Sequence, residues 1–377
     1  AYTLAGADCI DVAADPAVVI AAKSAIDLAF RIGQTHEFAN FFPQHKPFLM
    51  VSLNDGEDPH FRKAKFSVQN CPSDCLRPCE AICPADAIVF QAHANKFSGV
   101  VADRCYGCGR CLPVCPIANI TAHSYVTSPQ AIAPLVLEAG IDAIEIHTQP
   151  GHLDQFKQLW AAIQPWVPQL QLLAISCPDG NHVIEYLQSL YEVVSPLPCP
   201  LIWQTDGRPM SGDIGIGTTK AAIQFGQKVL NANLPGFVQL AGGTNQHTVP
   251  KLRSLGLLRS STLNQWSSST NVACNDEVSQ FVAGVAYGSY ARVLLAPILD
   301  SLEPMKPTNS TPLFPAPSLP PNPFLSSSAA QSATLSTSTA IFRQSMQLED
   351  FPELLEAAVN LASSLVSPLK THRNLMS

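Results

Sequence analysis

GFVQLAGGTN, residues 236–245, reads as a short apolar strand that runs into a glycine pair, the punctuation of a tight turn before a helix. The same grammar recurs on both sides of it. ADCIDVA (7–13) is a strand pattern, followed by Asp15 and Pro16 as N-cap and first-turn proline and by Val18, Val19, Ala22, Ile26 and Phe30 at helical spacing. PFLMVSL (47–53), IDAIEIHT (141–148), LQLLAISC (170–177), PLIWQTD (200–206) and VAGVAYG (282–288) are further strands. Helical patterns lie between them: SPQAIAPLVLEAG (128–140), Leu153 with Phe156, Trp160 and Ile163, Val183 with Leu187, Leu190 and Val194, and AAIQFGQKVL (221–230). Strands that alternate with helices predict a parallel α/β fold.

Seven strands are countable, and YTLAGAD (2–8) reads as the end of a helix feeding the first, which leaves room for an eighth strand upstream of residue 1. Eight βα units would make a TIM-like (β/α) barrel, the reading preferred here to an open doubly wound sheet. LAGGTN (240–245) and AYGSYAR (286–292) look like the loops after the last two strands of phosphate- and flavin-binding barrels. Gly242, Gly243, Gly288 and Ser289 are then the candidates to let a backbone approach a phosphate-bearing ligand, FMN among them. The bland alternative is that these glycines only make turns. Strand ends also offer Asn54, Asp55, His147, Cys177, Asp206 with Arg208, and Asn245, each of which could equally cap a loop or fill a core. GRPMSGDIGIGTTK (207–220) lacks the spacing of a P-loop and is read as a flexible loop.

Between the second strand and the helix at 128 stand two cysteine quartets: Cys71, Cys75, Cys79 and Cys83 in CPSDCLRPCEAICP, and Cys105, Cys108, Cys111 and Cys115 in CYGCGRCLPVCP. The second has the C-x2-C-x2-C-x3-C-P spacing of bacterial ferredoxins, in which three thiolates bend around one cluster and the fourth reaches the other. On that pattern Cys105, Cys108 and Cys111 share a cluster with Cys83, and Cys71, Cys75 and Cys79 share one with Cys115. The first quartet is irregular, with three residues in every gap, which makes Cys71 the weakest ligand and suits either a four-iron or a three-iron species. Zinc knots use similar residues but more often as separated pairs. The expected domains are 1–60 and 128–303 for the two parts of the barrel, 61–127 for the ferredoxin-like two-cluster insert, and 304–377 for a tail.

Composition bounds the rest. The 377 residues are 46% hydrophobic, ample for a sizeable core. Only 14% are charged and the net charge is -7, which leaves no basic footprint for nucleic acid. No apolar run has membrane-spanning length, since Lys23, Asp27 and Arg31 interrupt the longest. Twelve cysteines, eight in cluster spacing, suit a reducing, cytoplasmic compartment. The opening AYTLAGADCI shows no signal-peptide pattern and looks cut. Beyond Glu303 the chain turns to Pro, Ser and Thr, the composition of a disordered linker, before DFPELLEAAVNLASSLVSPL aligns Phe351, Leu354, Leu355, Ala358, Leu361 and Leu365 on one helical face.

YTLAGADCIDVAADPAVV, CPSDCLRPCEAICPADAI beside a regular quartet, QTDGRPMSGDIGIGTT, LAGGTN and VAYGSYAR together resemble the cyanobacterial light-dependent period family over roughly residues 1–300. The resemblance implies an iron–sulfur protein that senses redox state set by photosynthetic electron flow and passes it to circadian clock kinase and input proteins. The competing class is a flavin oxidoreductase fed by two clusters. No strand ends in the Lys that flavin barrels commonly present, and Cys177 is the only obvious acid. The sensor is therefore the expectation, its electron donor unspecified by the sequence.

Overall fold

The computed structural model describes residues 1–34, 45–56, 62–83, 85–90, 98–102, 104–105, 107–124, 137–207, 217–259, 280–302 and 347–370. The strands in chain order are β1 (Cys9–Ala13), β2 (Phe48–Asn54), β3 (Arg62–Lys65), β4 (Ile88–Val89), β5 (Gly99–Val100), β6 (Thr121–Ser124), β7 (Ala143–His147), β8 (Leu172–Pro178), β9 (Leu201–Asp206), β10 (Phe237–Ala241) and β11 (Val282–Val285). The helices are α1 (Pro16–Gly33), α2 (Pro78–Ile82), α3 (Leu153–Ile163), α4 (Val183–Val194), α5 (Thr218–Asn231), α6 (Thr248–Ser254), α7 (Ser289–Ser301) and α8 (Pro352–Lys370).

All seven strands read from the sequence form one sheet in the order β1-β2-β7-β8-β9-β10-β11, with every pair parallel. Each strand thus lies beside its predecessor in the sheet, and the order never reverses, which rules out the doubly wound alternative with its switch point. The sheet curls into a half-barrel. Among the described residues β1 and β11 remain opposite edges, so what the structure supports is an open α/β half-barrel.

Alternation along each strand separates two faces. Val51, Leu53, Ile144, Ile146, Leu173, Ile175, Trp203 and Leu240 pack outward against Phe156, Ile163, Leu187, Leu190 and Phe225 of the helices, in the main core. The intervening positions face the concave side, where Met50, Ala143 and Ala174 form a small apolar layer with Cys9, Leu172 and Ile202. Helix α1 starts as its sequence dictates: Asp15 accepts a 2.8 Å hydrogen bond from the Ala17 N–H, and Pro16 fills the first turn, where no N–H is needed.

Two small antiparallel ladders stand outside the main sheet, both from the chain between β2 and β7: β3 with β6, and β4 with β5. Lys63 of β3 reaches Asp15 at 3.0 Å, placing this module against the loop that leads from β1 into α1. The Pro/Ser/Thr stretch, the helix read at 128–140 up to residue 136 and most of the 207–220 loop lie outside the described residues. The helix read after that stretch is present as α8. It buries Leu355, Ala358, Val359, Ala362 and Leu365, so its inward face is turned from the predicted one toward Val359 and Ala362. Leu355 and Val359 pack with Leu4 and with Ala29 and Ile32 of α1, while Lys370 meets Asp8 at 2.6 Å. Helix α8 also packs on α7, and so bridges the first and last βα units.

Candidate metal centre

The pairing of the two small ladders decides where the cysteines fall. Lys65 and Thr121 are partners in the β3–β6 register, so the chain entering the first quartet runs beside the chain leaving the second. Cys71 and Cys115, each six residues from that pair, are brought face to face. Likewise Ile88 pairs with Val100, which sets Cys83 opposite Cys105. Cys71, Cys75, Cys79 and Cys115 line one cavity of about 100 Å³, walled by Phe66, Phe90, Ile117 and Ile120. Burial raises the thiols of Cys108 and Cys111, and Cys83 and Cys105 stand close enough to both to add to that rise electrostatically.

The bends that achieve this lie in the loops between the thiols and just after the last of them. Gly107 and Gly109 take φ 73° and 78°, and Arg77 and Ala118 take φ 54° and 51°, a region that non-glycine residues enter at some cost. Helix α2 starts at Pro78, directly after Arg77, and the Arg77 guanidinium lies 4.5 Å over the Phe90 ring.

N–H groups converge on the sulfurs. Ala87 N donates to Cys83 Sγ at 3.2 Å, Asn119 N to Cys115 Sγ at 3.3 Å and Ala64 N to Cys105 Sγ at 3.4 Å. The Asn119 side chain bridges Cys71 Sγ (3.5 Å) and the Ser67 carbonyl (2.8 Å). Burial pushes the Cys111 thiol up to about 11, helped by Cys108 and Cys105. At Cys115 desolvation acts upward too, but the N–H groups of Ile117, Asn119, Ile120 and Ala118 together bring that thiol below its ordinary value.

This donor set fits an iron–sulfur cluster better than a single ion. Among the described residues no three His, Cys, Asp or Glu side chains converge on one metal-ion position. The thiols of the first group instead ring a cavity, with N–H donors behind them of the kind that tune cluster potentials. Thiols crowded at low dielectric resist ionisation unless a cation compensates them, and a bound metal centre supplies that compensation.

The concave face of the half-barrel carries a second polar assembly. Ser52 Oγ donates to Asp11 at 2.6 Å and lies 3.2 Å from Glu145; Gln204 Nε2 bonds to Glu145 and lies 3.3 Å from Ser176. Ser176 Oγ donates to Asp206 at 2.6 Å, and Gln239 donates to Gln204 at 2.7 Å. His147 stands 3.4 Å from Glu145. Burial, then the neighbouring Asp206, push the Glu145 carboxyl up to about 7. Burial raises Asp206 as well, against its bond from Ser176. Every side chain named here has a partner, so the layer is a connected network.

The remaining candidates are local fasteners. Asp55 accepts from Thr148 and lies 3.1 Å from His152, while Asn54 accepts from Gly56 N at 2.9 Å. Asn245 accepts from Thr219 at 3.0 Å and from His247 N at 2.9 Å, stitching the loop after β10 to α5. Cys177 is 1% exposed within the helix-facing core. Gly242 and Gly243 do adopt positive φ, 58° and 95°. The space beside Gly243 is filled, however: a Cβ there would meet Thr218 Cβ at 2.9 Å, and Thr218 Oγ1 donates to the Gly243 carbonyl at 2.8 Å. At Gly288 the surroundings are open, and Ser289, which begins α7, accepts from Arg292 at 3.2 Å. Arg208 lies outside the described residues.

Comparison with known proteins bears on both parts. The family model "Light dependent period A C-terminal domain" matches residues 135–368, and "LdpA Fe-S cluster-binding domain" matches residues 71–126. The chain is 46% identical over 369 residues, 98% of its own length and 85% of the relative's, to Light dependent period A of Synechococcus elongatus. It belongs to the light dependent period A family. No solved structure matches it. The light dependent period A cluster-binding match contains all eight quartet cysteines and Asn119, which supports an iron–sulfur cofactor in this chain.

Sequence reading missed Asp11, Ser52, Glu145, Ser176, Gln204 and Gln239. Their signal was a polar residue at the centre of an apolar strand, repeated from unit to unit: CIDVA, AIEIH, IWQTD and FVQLA. Asn119 was missed because nothing in CPIANI marks its amide as a partner of a cysteine forty-eight residues upstream.

Proposed function

We propose that this protein is an iron–sulfur redox sensor serving the light-dependent circadian clock. Cys71, Cys75, Cys79 and Cys115 would hold one cluster of a ferredoxin-like module, and Cys83, Cys105, Cys108 and Cys111 the other. When bound, such clusters supply one-electron redox chemistry near the protein surface. The observation that supports the reading best is that Cys115 lines one cavity with Cys71, Cys75 and Cys79, at the end of the module that the β3–β6 register closes.

The chain's own residues suit such a switch. The module has a small core of Cys79, Ile88, Cys111 and Ile120, two of whose four members are cysteines, so its folding free energy depends on what the thiols bind. The half-barrel has its own much larger core. Change at the module therefore alters one face and leaves a stable body behind, which suits a relay to clock kinase and input proteins. The flavin reading gains less support, because Thr218 occupies the berth at Gly243 and Cys177 is buried among apolar residues.

Anaerobic purification with iron, sulfide and flavin analysis and electron paramagnetic resonance tests the assignment. About eight iron atoms per chain are expected for two four-iron clusters, or about seven if the first is a three-iron species. Cys108→Ser should remove one cluster and Cys71→Ser should leave partial occupancy of the other, since Asn119 and three further thiols remain. Stoichiometric zinc without labile sulfide would overturn the proposal.

A further inference from the structure

The module differs from the rest of the chain in charge. Residues 61–127 hold seven Lys and Arg against four Asp and Glu, a net +3, whereas the whole chain is -7 and the remainder therefore -10. On the same module Leu76 is 90% exposed and Ile117 is 46% exposed, two of only five large hydrophobic side chains that stand out among the described residues. Both belong to the first thiol ring: Leu76 follows Cys75, and Ile117 lines the ring's cavity. Arg77, also exposed, lines that cavity, and Lys65 borders an open hollow of about 470 Å³ that shares Phe66 and Val68 with it. Asp74 is the acid on the same loop, between Cys71 and Cys75.

We propose that this surface, apolar at Leu76 and Ile117 and basic at Arg77 and Lys65, docks a small acidic electron-carrier protein over the first thiol ring. The inference rests on the cluster assignment made above. An apolar centre with a charged rim is what a small, short-lived encounter needs: the rim steers association and the apolar contact excludes water between the two partners. A leucine left almost wholly in water beside the first thiol ring has no role in the module's own core, which is built from other residues. The opposite sign of the remaining chain makes the module the face such a partner would select.

The test uses the full, cluster-loaded chain with an acidic plant-type ferredoxin as probe and a basic c-type cytochrome as control, binding being followed by calorimetry. Affinity for the ferredoxin should fall at least about tenfold between about 20 and about 200 mM salt, with little binding of the cytochrome. Leu76→Asp and Lys65→Glu should each weaken it about tenfold, and Ile20→Asp, on exposed α1 surface, should not. Iron and sulfide content, measured on every variant, separates the two claims. Chains that lack clusters overturn the functional assignment. Chains with full clusters that bind ferredoxin equally well in all variants, or not at all, overturn the docking surface alone. Concentration-dependent self-association abolished by Leu76→Asp would likewise overturn it, assigning the face to a second copy.

Discussion

Glu145 shows how one residue can carry a pH response that its strand does not advertise. It is 2% exposed, bonded to Ser52 and Gln204, faced by His147 and raised to about 7 from an ordinary 4.5. Below pH 4.5 its carboxyl is protonated in both folded and unfolded chains. Between 4.5 and about 7 the unfolded chain releases a proton that the folded chain keeps, so stability falls as pH rises through that window and levels off above it. Glu145→Gln keeps the shape and the Gln204 neighbour but removes the titration. Urea denaturation from pH 4 to 8 should show a flatter profile for the variant, the difference growing to about 3 kcal/mol at the upper end. Parallel profiles would mean that the carboxyl ionises freely in the folded protein. Asp206 and Asp55 are raised in the same direction, so some slope remains in the variant. The sequence did mark His147 and Asp206 as strand-end groups, but it gave no depth: whether Glu145 faces the helices or the concave side depends on the register of strands far apart in the chain.

At the scale of elements the sequence was most informative where periodicity is local. The seven strands, the cap at Asp15 and helices α1, α3, α4 and α5 follow from runs of a dozen residues, because alternation and helical spacing are properties of neighbours. Closure was not legible, since it depends on what meets β1 and β11 at the sheet's two edges. Helix α8 illustrates the same limit: its amphipathic face could be read, but not what covers it, nor the turn of that face toward Val359. Its contacts with Leu4, Ala29 and Ile32 make it part of the folded unit. Leu355→Ala, at a site 5% exposed, should therefore cost about 2–5 kcal/mol in denaturant unfolding and speed hydrogen exchange in α8. A cost within about 0.5 kcal/mol, the range of surface substitutions, would show that α8 rests on the surface without contributing to the fold.

For the whole molecule the question is how far a change at the thiols travels. The module and half-barrel have separate cores, and their described connection includes one partly buried ion pair, Lys63 with Asp15 at 3.0 Å, with side chains 18% and 7% exposed. Lys63 also donates to the Ala102 carbonyl, close to Cys105, so it touches both sides. Asp15 in turn caps α1, whose far end packs against α8. Removing iron with a chelator under anaerobic conditions should accordingly raise hydrogen exchange throughout 62–124 and, more weakly, in the first turn of α1, while β7 to β10 keep their protection. Lys63→Met, which preserves the stem but not the charge, should confine the response to the module. On the proposed assignment the module's thiols, and not Lys63, would hold the metal, so the variant's iron content should equal that of the unmodified chain. Exchange that rises equally in β7 to β10 would show a single cooperative unit, and a message carried by unfolding instead of by one face. Exchange unchanged even within the module would show that the thiol rings persist without metal, removing the physical basis for the switch.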